Sequence, residues 1–269
     1  MDVSIVKARE SASAFLAGLQ SQGRYTFSDA DAAMGLSRSA GAVQAVLRRL
    51  RSSGRIVALR RGLYAIVPPE YGSAGSPPAS WFIDDLMRYL QQPYYVGLLT
   101  AAALYGASHQ QPMVFQVVTD RPTRPAIAGR TAVEFHMSRL AEGTPADAVQ
   151  TETGFMRVST PAATAFDLVR FARACGGWGN VATVLQELAE RLDPEALYAG
   201  AASVGTPQLQ RLGYLLDRAG HPRLADPLLR VLSAKRYRPV LLAPDAPRGE
   251  EEAASPWRVI PNEDVEVDL

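Results

Sequence analysis

Arg38, Ser39, Gln44, Arg48 and Arg51 fall on one side of a pattern whose other side is Val43, Val46, Leu47 and Leu50. Apolar residues at i, i+3, i+4 and i+7 predict an amphipathic helix, here from Arg38 to about Ser53. Ser37 stands where an N-cap is wanted, and Gly54 stops the helix. The chemistry open to the polar side is contact with nucleic acid. An arginine fork can bind guanine in bidentate fashion and a glutamine amide can do the same with adenine. Arg55–Val67 then reads as two short strands joined at Arg60-Arg61-Gly62. Arginines at such a tip would sit against phosphates or in a minor groove.

Several elements must position these side chains. Ala8–Gln22 carries apolar residues at Ala12, Phe15, Leu16 and Leu19, a helix ended by Gly23. Ser28 is placed to cap a short helix through Met34, with Asp29 and Asp31 favourable in its first turn, and Gly35-Leu36 reads as a tight turn. A short helix, a turn and a longer basic helix form a helix-turn-helix, and a basic hairpin after it makes a winged helix. The charge agrees. Residues 1–70 hold ten basic and five acidic side chains, a net of +5, whereas the chain as a whole is only +1. A protein-binding winged helix with a merely solvated basic face is the other reading; the charge and the Arg-Arg tip favour DNA.

The remaining chain reads as a second, larger domain. Residues 71–79 are rich in Pro, Gly and Ser and read as a linker, leaving 80–269 as a mixed α/β domain, a small sheet flanked by helices. Ser80 is placed to cap a helix to about Gln91, and a nearly apolar helix is expected over Val96–Ala107. Strands are expected at Met113–Thr119, Thr131–Met137 and Phe155–Val158, with Asp120–Arg130 as a loop between the first two. Five helices are expected after Pro161, over 161–174, 180–192, 194–203, 207–219 and 222–234, then a polar loop over 238–255 and a short strand at Trp257–Ile260. The longest uncharged stretch, Tyr89–Thr119, contains too few consecutive apolar residues for a membrane span, and the start shows no secretory pattern. A soluble cytoplasmic protein is expected.

Catalytic chemistry finds little footing. One cysteine, Cys175, makes no disulfide or thiolate metal site and reads as a packing residue, and His109, His136 and His221 lack ligand spacing. Gly176-Gly177-Trp178-Gly179 follows no strand and precedes no Lys-Ser/Thr, so it reads as a loop and not a phosphate cradle. Asp167, on an apolar helix, is either a catalytic acid or a paired structural carboxylate; the absence of a His or Lys within a turn favours pairing. No catalytic residue, metal or cofactor is expected. A nuclease-like second domain would want clustered carboxylates with a lysine, and Lys235 is the only lysine after Lys7.

Met34-Gly-Leu-Ser-Arg38, Gly54–Ala65 with its Arg-Gly-Leu-Tyr, Thr100–Gly106, Thr160-Pro-Ala-Ala-Thr-Ala-Phe-Asp-Leu-Val169 and Trp257–Asn262 together resemble the AbiEi-type antitoxins, bacterial transcriptional regulators of type IV toxin–antitoxin systems. The resemblance runs along nearly the whole chain. It implies a repressor that binds inverted repeats in its own promoter and a second domain that counters a nucleotidyltransferase-like toxin, directly or indirectly. A stand-alone transcription factor without a toxin is a variant of the same reading. With the residue pattern, it assigns double-stranded DNA contact to Ser37, Arg38, Ser39, Gln44, Arg48, Arg51, Arg60 and Arg61.

Overall fold

A computed structural model describes residues 11–107 and 112–265. Helix α1 is Ala12–Ser21 and strand β1 is Thr26–Ser28. Helices α2 (Asp29–Leu36) and α3 (Ala40–Ser52) follow, then β2 (Ile56–Arg60) and β3 (Leu63–Ile66). Next come α4 (Ile83–Leu90), β4 (Tyr94–Val96), α5 (Leu98–Leu104), β5 (Phe115–Thr119), β6 (Ala126–Ala128), β7 (Thr131–Met137), β8 (Ala146–Thr151) and β9 (Gly154–Ser159). The chain then runs through α6 (Pro161–Arg170), α7 (Gly177–Leu188), α8 (Pro194–Ala201), α9 (Thr206–Arg218), α10 (Pro222–Ser233), β10 (Val240–Leu241) and β11 (Val259–Ile260). Strands β4 to β9 form a six-stranded mixed sheet, in which β6 pairs antiparallel with β7 and β4 parallel with β9. This is the expected mixed α/β class, with a helix-turn-helix region ahead of a larger remainder.

The described residues fall into two compact units. The first holds the residues up to Tyr94, Thr119–Met137 and Ala148–Arg157; the second holds Tyr95–Val118, Ser138–Asp147 and the residues from Val158 onward. The core of the first unit joins Phe15, Leu16 and Leu19 of α1 to Val43, Val46, Leu47 and Leu50 of α3 and to Phe27, Ile56 and Ile66 of the three-stranded sheet β1-β3-β2. Each fully buried aliphatic or aromatic side chain there contributes roughly 1.5–3 kcal/mol of hydrophobic transfer. The second unit packs α6, α7, α9 and α10 around Leu168, Leu185, Leu212, Leu215 and Leu228, with Trp257 against α9.

Several sequence expectations are corrected. Ser37 does not cap α3. It lies in the left-handed region (φ 48°) as the C-cap of α2, its hydroxyl donating to the Met34 carbonyl. The chain runs extended through Ser39, and α3 begins at Ala40. Gly35 sits inside α2 rather than in a turn, where a Cβ would stand 2.4 Å from the Phe15 ring. The start of the first helix at Ala8 lies outside the described residues. Ser80 belongs to a 3₁₀ turn ahead of α4. The apolar run from Tyr94 is a strand, then α5, because the backbone is extended at Gly97. The expected loop Asp120–Arg130 contains β6, and β8 adds a strand where the sequence predicts none. Gly177-Trp178-Gly179 opens α7 instead of forming a loop, since Gly176 takes the left-handed N-cap and Asn180 Nδ2 donates to the Cys175 carbonyl.

Candidate nucleic-acid interface

The helix-turn-helix is locked by a small polar hub at Asp29. Ser28 caps α2 in a capping box: its hydroxyl accepts from the Asp31 amide at 3.1 Å, and the Ser28 amide donates to Asp31 Oδ2 at 2.8 Å. Burial pushes the Asp31 carboxyl up, but hydrogen bonds from Ser28 and Arg24 outweigh it and hold the group below its ordinary value. The Asp29 amide donates to the Gly62 carbonyl at the wing turn at 3.0 Å. Asp29 Oδ1 accepts from Tyr64 of β3 at 3.2 Å and from Gln44 Nε2 of α3 at 3.1 Å. The start of α2, the long helix and the wing are thereby fixed to one carboxylate.

On α3, Gln44, Arg48 and Arg51 are all exposed and lie at i, i+4 and i+7, one face of the helix. Ser39, just ahead of the first turn, is exposed and its hydroxyl makes no cap bond. Arg38 is half-buried, with its Nε out of solvent and without a hydrogen-bond partner. Ser37 is exposed. At the wing, Arg61 is exposed and its carbonyl accepts from the Tyr89 hydroxyl at 3.0 Å. Arg60 is spent differently. Its Nη1 donates to the Pro125 carbonyl at 3.2 Å, its Nη2 donates to the Arg124 carbonyl, and its guanidinium stands 5.7 Å from the Phe135 ring centre. The structure therefore brings Gln44, Arg48 and Arg51 together on α3, places Ser37, Arg38 and Ser39 at its entry, and turns Arg60 toward protein. Apart from the Leu59 carbonyl, which also accepts from Nη1 at 3.2 Å, the partners of Arg60 lie more than sixty residues away, so no local pattern points to them. In the sequence Asp29 carries only the signal of a helix-end charge; its spacing to Gln44 carries none.

In the second unit, Asp167 of α6 is buried, and its Oδ2 accepts from the Tyr95 hydroxyl at 2.7 Å. Burial drives its carboxyl up to about 7, against the opposing pull of that hydrogen bond and of Arg170. It is a paired carboxylate at the edge of a cavity of about 780 Å³, whose walls include Phe166, Arg170, Ala199, Gly200 and Val204. Cys175 is buried, which pushes its thiol up to about 12. Among the described residues no three His, Cys, Asp or Glu side chains converge as a metal site would require, and no helix is long and apolar enough to cross a membrane.

A helix-turn-helix followed by a hairpin, with its long helix basic on the outer face, defines a winged helix-turn-helix regulator. Residues 16–67 match the family model described as transcriptional regulator, AbiEi antitoxin, and residues 95–218 match that of the AbiEi antitoxin C-terminal domain. The chain belongs to the AbiEi antitoxin family, as its motifs suggested. A comparison with curated proteins finds no match. Among solved structures, the chain is similar to the crystal structure of the RV2827C protein from Mycobacterium tuberculosis. The two are 19% identical, the alignment covers 92% of this chain and 90% of that one, and the TM-score is 0.68. That likeness is one of fold.

Proposed function

We propose that the protein is a DNA-binding transcriptional repressor and the antitoxin of a bacterial type IV toxin–antitoxin pair, working in the cytoplasm without catalysis. In this reading residues 1–70 are the DNA-binding domain, 71–79 the linker and 80–269 the antitoxin domain. The observation that carries it is the exposed face of α3, with Gln44, Arg48 and Arg51 in line. Gln44 and the entry residues Arg38 and Ser39 read base edges, while Arg48, Arg51 and Arg61 grip phosphates. Arg60 holds the wing in place, and Ser37 sets the path into α3. The family membership supports inverted repeats in the protein's own promoter as the target and a nucleotidyltransferase-like toxin as the activity countered, by contact or indirectly. The second unit's Asp167 is a packing carboxylate, consistent with an interaction domain.

The test has two arms. The full chain should shift a duplex carrying its own upstream region and silence a reporter driven by that region. Co-expression should rescue growth from the toxin encoded beside it. Failure to shift any upstream duplex at low salt refutes the repressor; a shift without rescue leaves a stand-alone transcription factor.

A further inference from the structure

We infer that the DNA-contacting surface continues from the wing onto the loop Asp120–Pro125, where Arg121 and Arg124 supply two further phosphate contacts. The inference rests on the DNA reading above. It starts from Arg60, the wing arginine that sequence alone gives to DNA. Its two terminal nitrogens are taken by the carbonyls of Arg124 and Pro125. Its charge lies over Phe135. Strand β6, which follows the loop, runs beside β2, and all of these residues belong to the first unit. Arg60 thus straps the wing tip to a segment far along the chain.

The strap gives up one cation and gains others. Arg124, whose own carbonyl holds Arg60, and Arg121, three residues before it, are both exposed. Arg121 forks onto Asp120 with both bonds at 3.1 Å. An exposed pair of this kind is weak, so a phosphate, which matches the same fork, readily takes its place. The loop is held rather than loose: Pro122 and Pro125 restrict its backbone, and the Thr123 hydroxyl donates to Gln92 Oε1 at 2.8 Å. A held loop spares binding the cost of ordering its backbone. Together with exposed Arg61, the loop's Arg121 and Arg124 bring to three the exposed arginines on the wing and on the loop that Arg60 straps to it.

The experiment is a salt titration of full-length protein on its own upstream duplex, comparing wild type with R48A, R124A, R121A/R124A and R130A. Arg130 is a matched control: it is exposed and sits in the turn at the other end of β6. R124A should flatten the slope of log K against log salt by about one, and R121A/R124A by about two. The double variant should bind roughly thirtyfold more weakly at 0.15 M salt, if affinities converge near 1 M. R130A should track wild type. If R48A weakens binding while R121A/R124A stays within twofold of wild type, or if R130A falls as far as R124A, the extended surface is wrong and the DNA reading stands. If wild type binds no duplex at any salt, the DNA reading itself fails and takes this inference with it.

Discussion

Asp167→Asn should stabilise the protein progressively as pH rises. The Asp167 carboxyl titrates near 7 in the folded chain and at its ordinary value of 3.8 when unfolded. Between those values the unfolded chain has lost a proton that the folded chain keeps, so stability falls as pH rises, by about 1.4 kcal/mol per pH unit. The contribution is fully present below pH 4, is lost through pH 7, and amounts to about 4 kcal/mol across the window. Asparagine does not titrate, yet keeps an oxygen to accept the Tyr95 hydroxyl. Between pH 5 and pH 8 the gap between the variant and wild type should therefore widen by roughly 2–3 kcal/mol, or roughly 5–10 °C in melting midpoint. The assay is thermal unfolding followed by tryptophan fluorescence, since Trp178 and Trp257 both report on the second unit. Other titrating groups cancel in the difference between the two proteins. A gap that stays constant from pH 5 to pH 8 refutes the assignment of Asp167 as a desolvated carboxyl.

Two other perturbations follow from the geometry. Gly213→Ala places a Cβ 2.0 Å from the Trp257 ring, which is buried and donates to Asp217. Overpacking of this kind costs about 1–3 kcal/mol, and an unchanged melting midpoint would show that Trp257 does not pack there. Gln44→Ala should cost about 1–3 kcal/mol at one base position and relax the preference there; a binding-site selection that returns the wild-type motif contradicts a base-reading Gln44.

The winged helix was legible because its apolar spacing is local. The stripe Val43, Val46, Leu47, Leu50 fixes which face of α3 is buried and hence which is offered to solvent. The larger sheet was less so. Tyr94–Leu104 is apolar throughout, and a run buried on every side has no period by which strand and helix can be told apart. Strand β6 hides in a Pro- and Arg-rich loop, and β8, Ala146–Thr151, lacks the aromatic and β-branched density that marks a strand. At the candidate site the exposed α3 residues could be read from periodicity, but the entry could not. A left-handed Ser37 delays the helix start to Ala40, which a run of Ser-Arg-Ser does not reveal. That Asp167 is paired follows from its apolar helix; its partner Tyr95, seventy-two residues away, carries no local signal.

The central claim is that α3 binds duplex DNA through its exposed basic face, and fluorescence anisotropy on the protein's own upstream duplex across salt tests it most directly. Wild type should give a slope of log K against log salt of roughly −4 to −5 from the phosphates gripped by Arg48, Arg51 and Arg61 together with Arg121 and Arg124. R48A/R51A, which removes two exposed charges without touching the core, should flatten that slope by about two and weaken binding at every salt. A double variant that binds as wild type does, with the same salt dependence, would contradict the account.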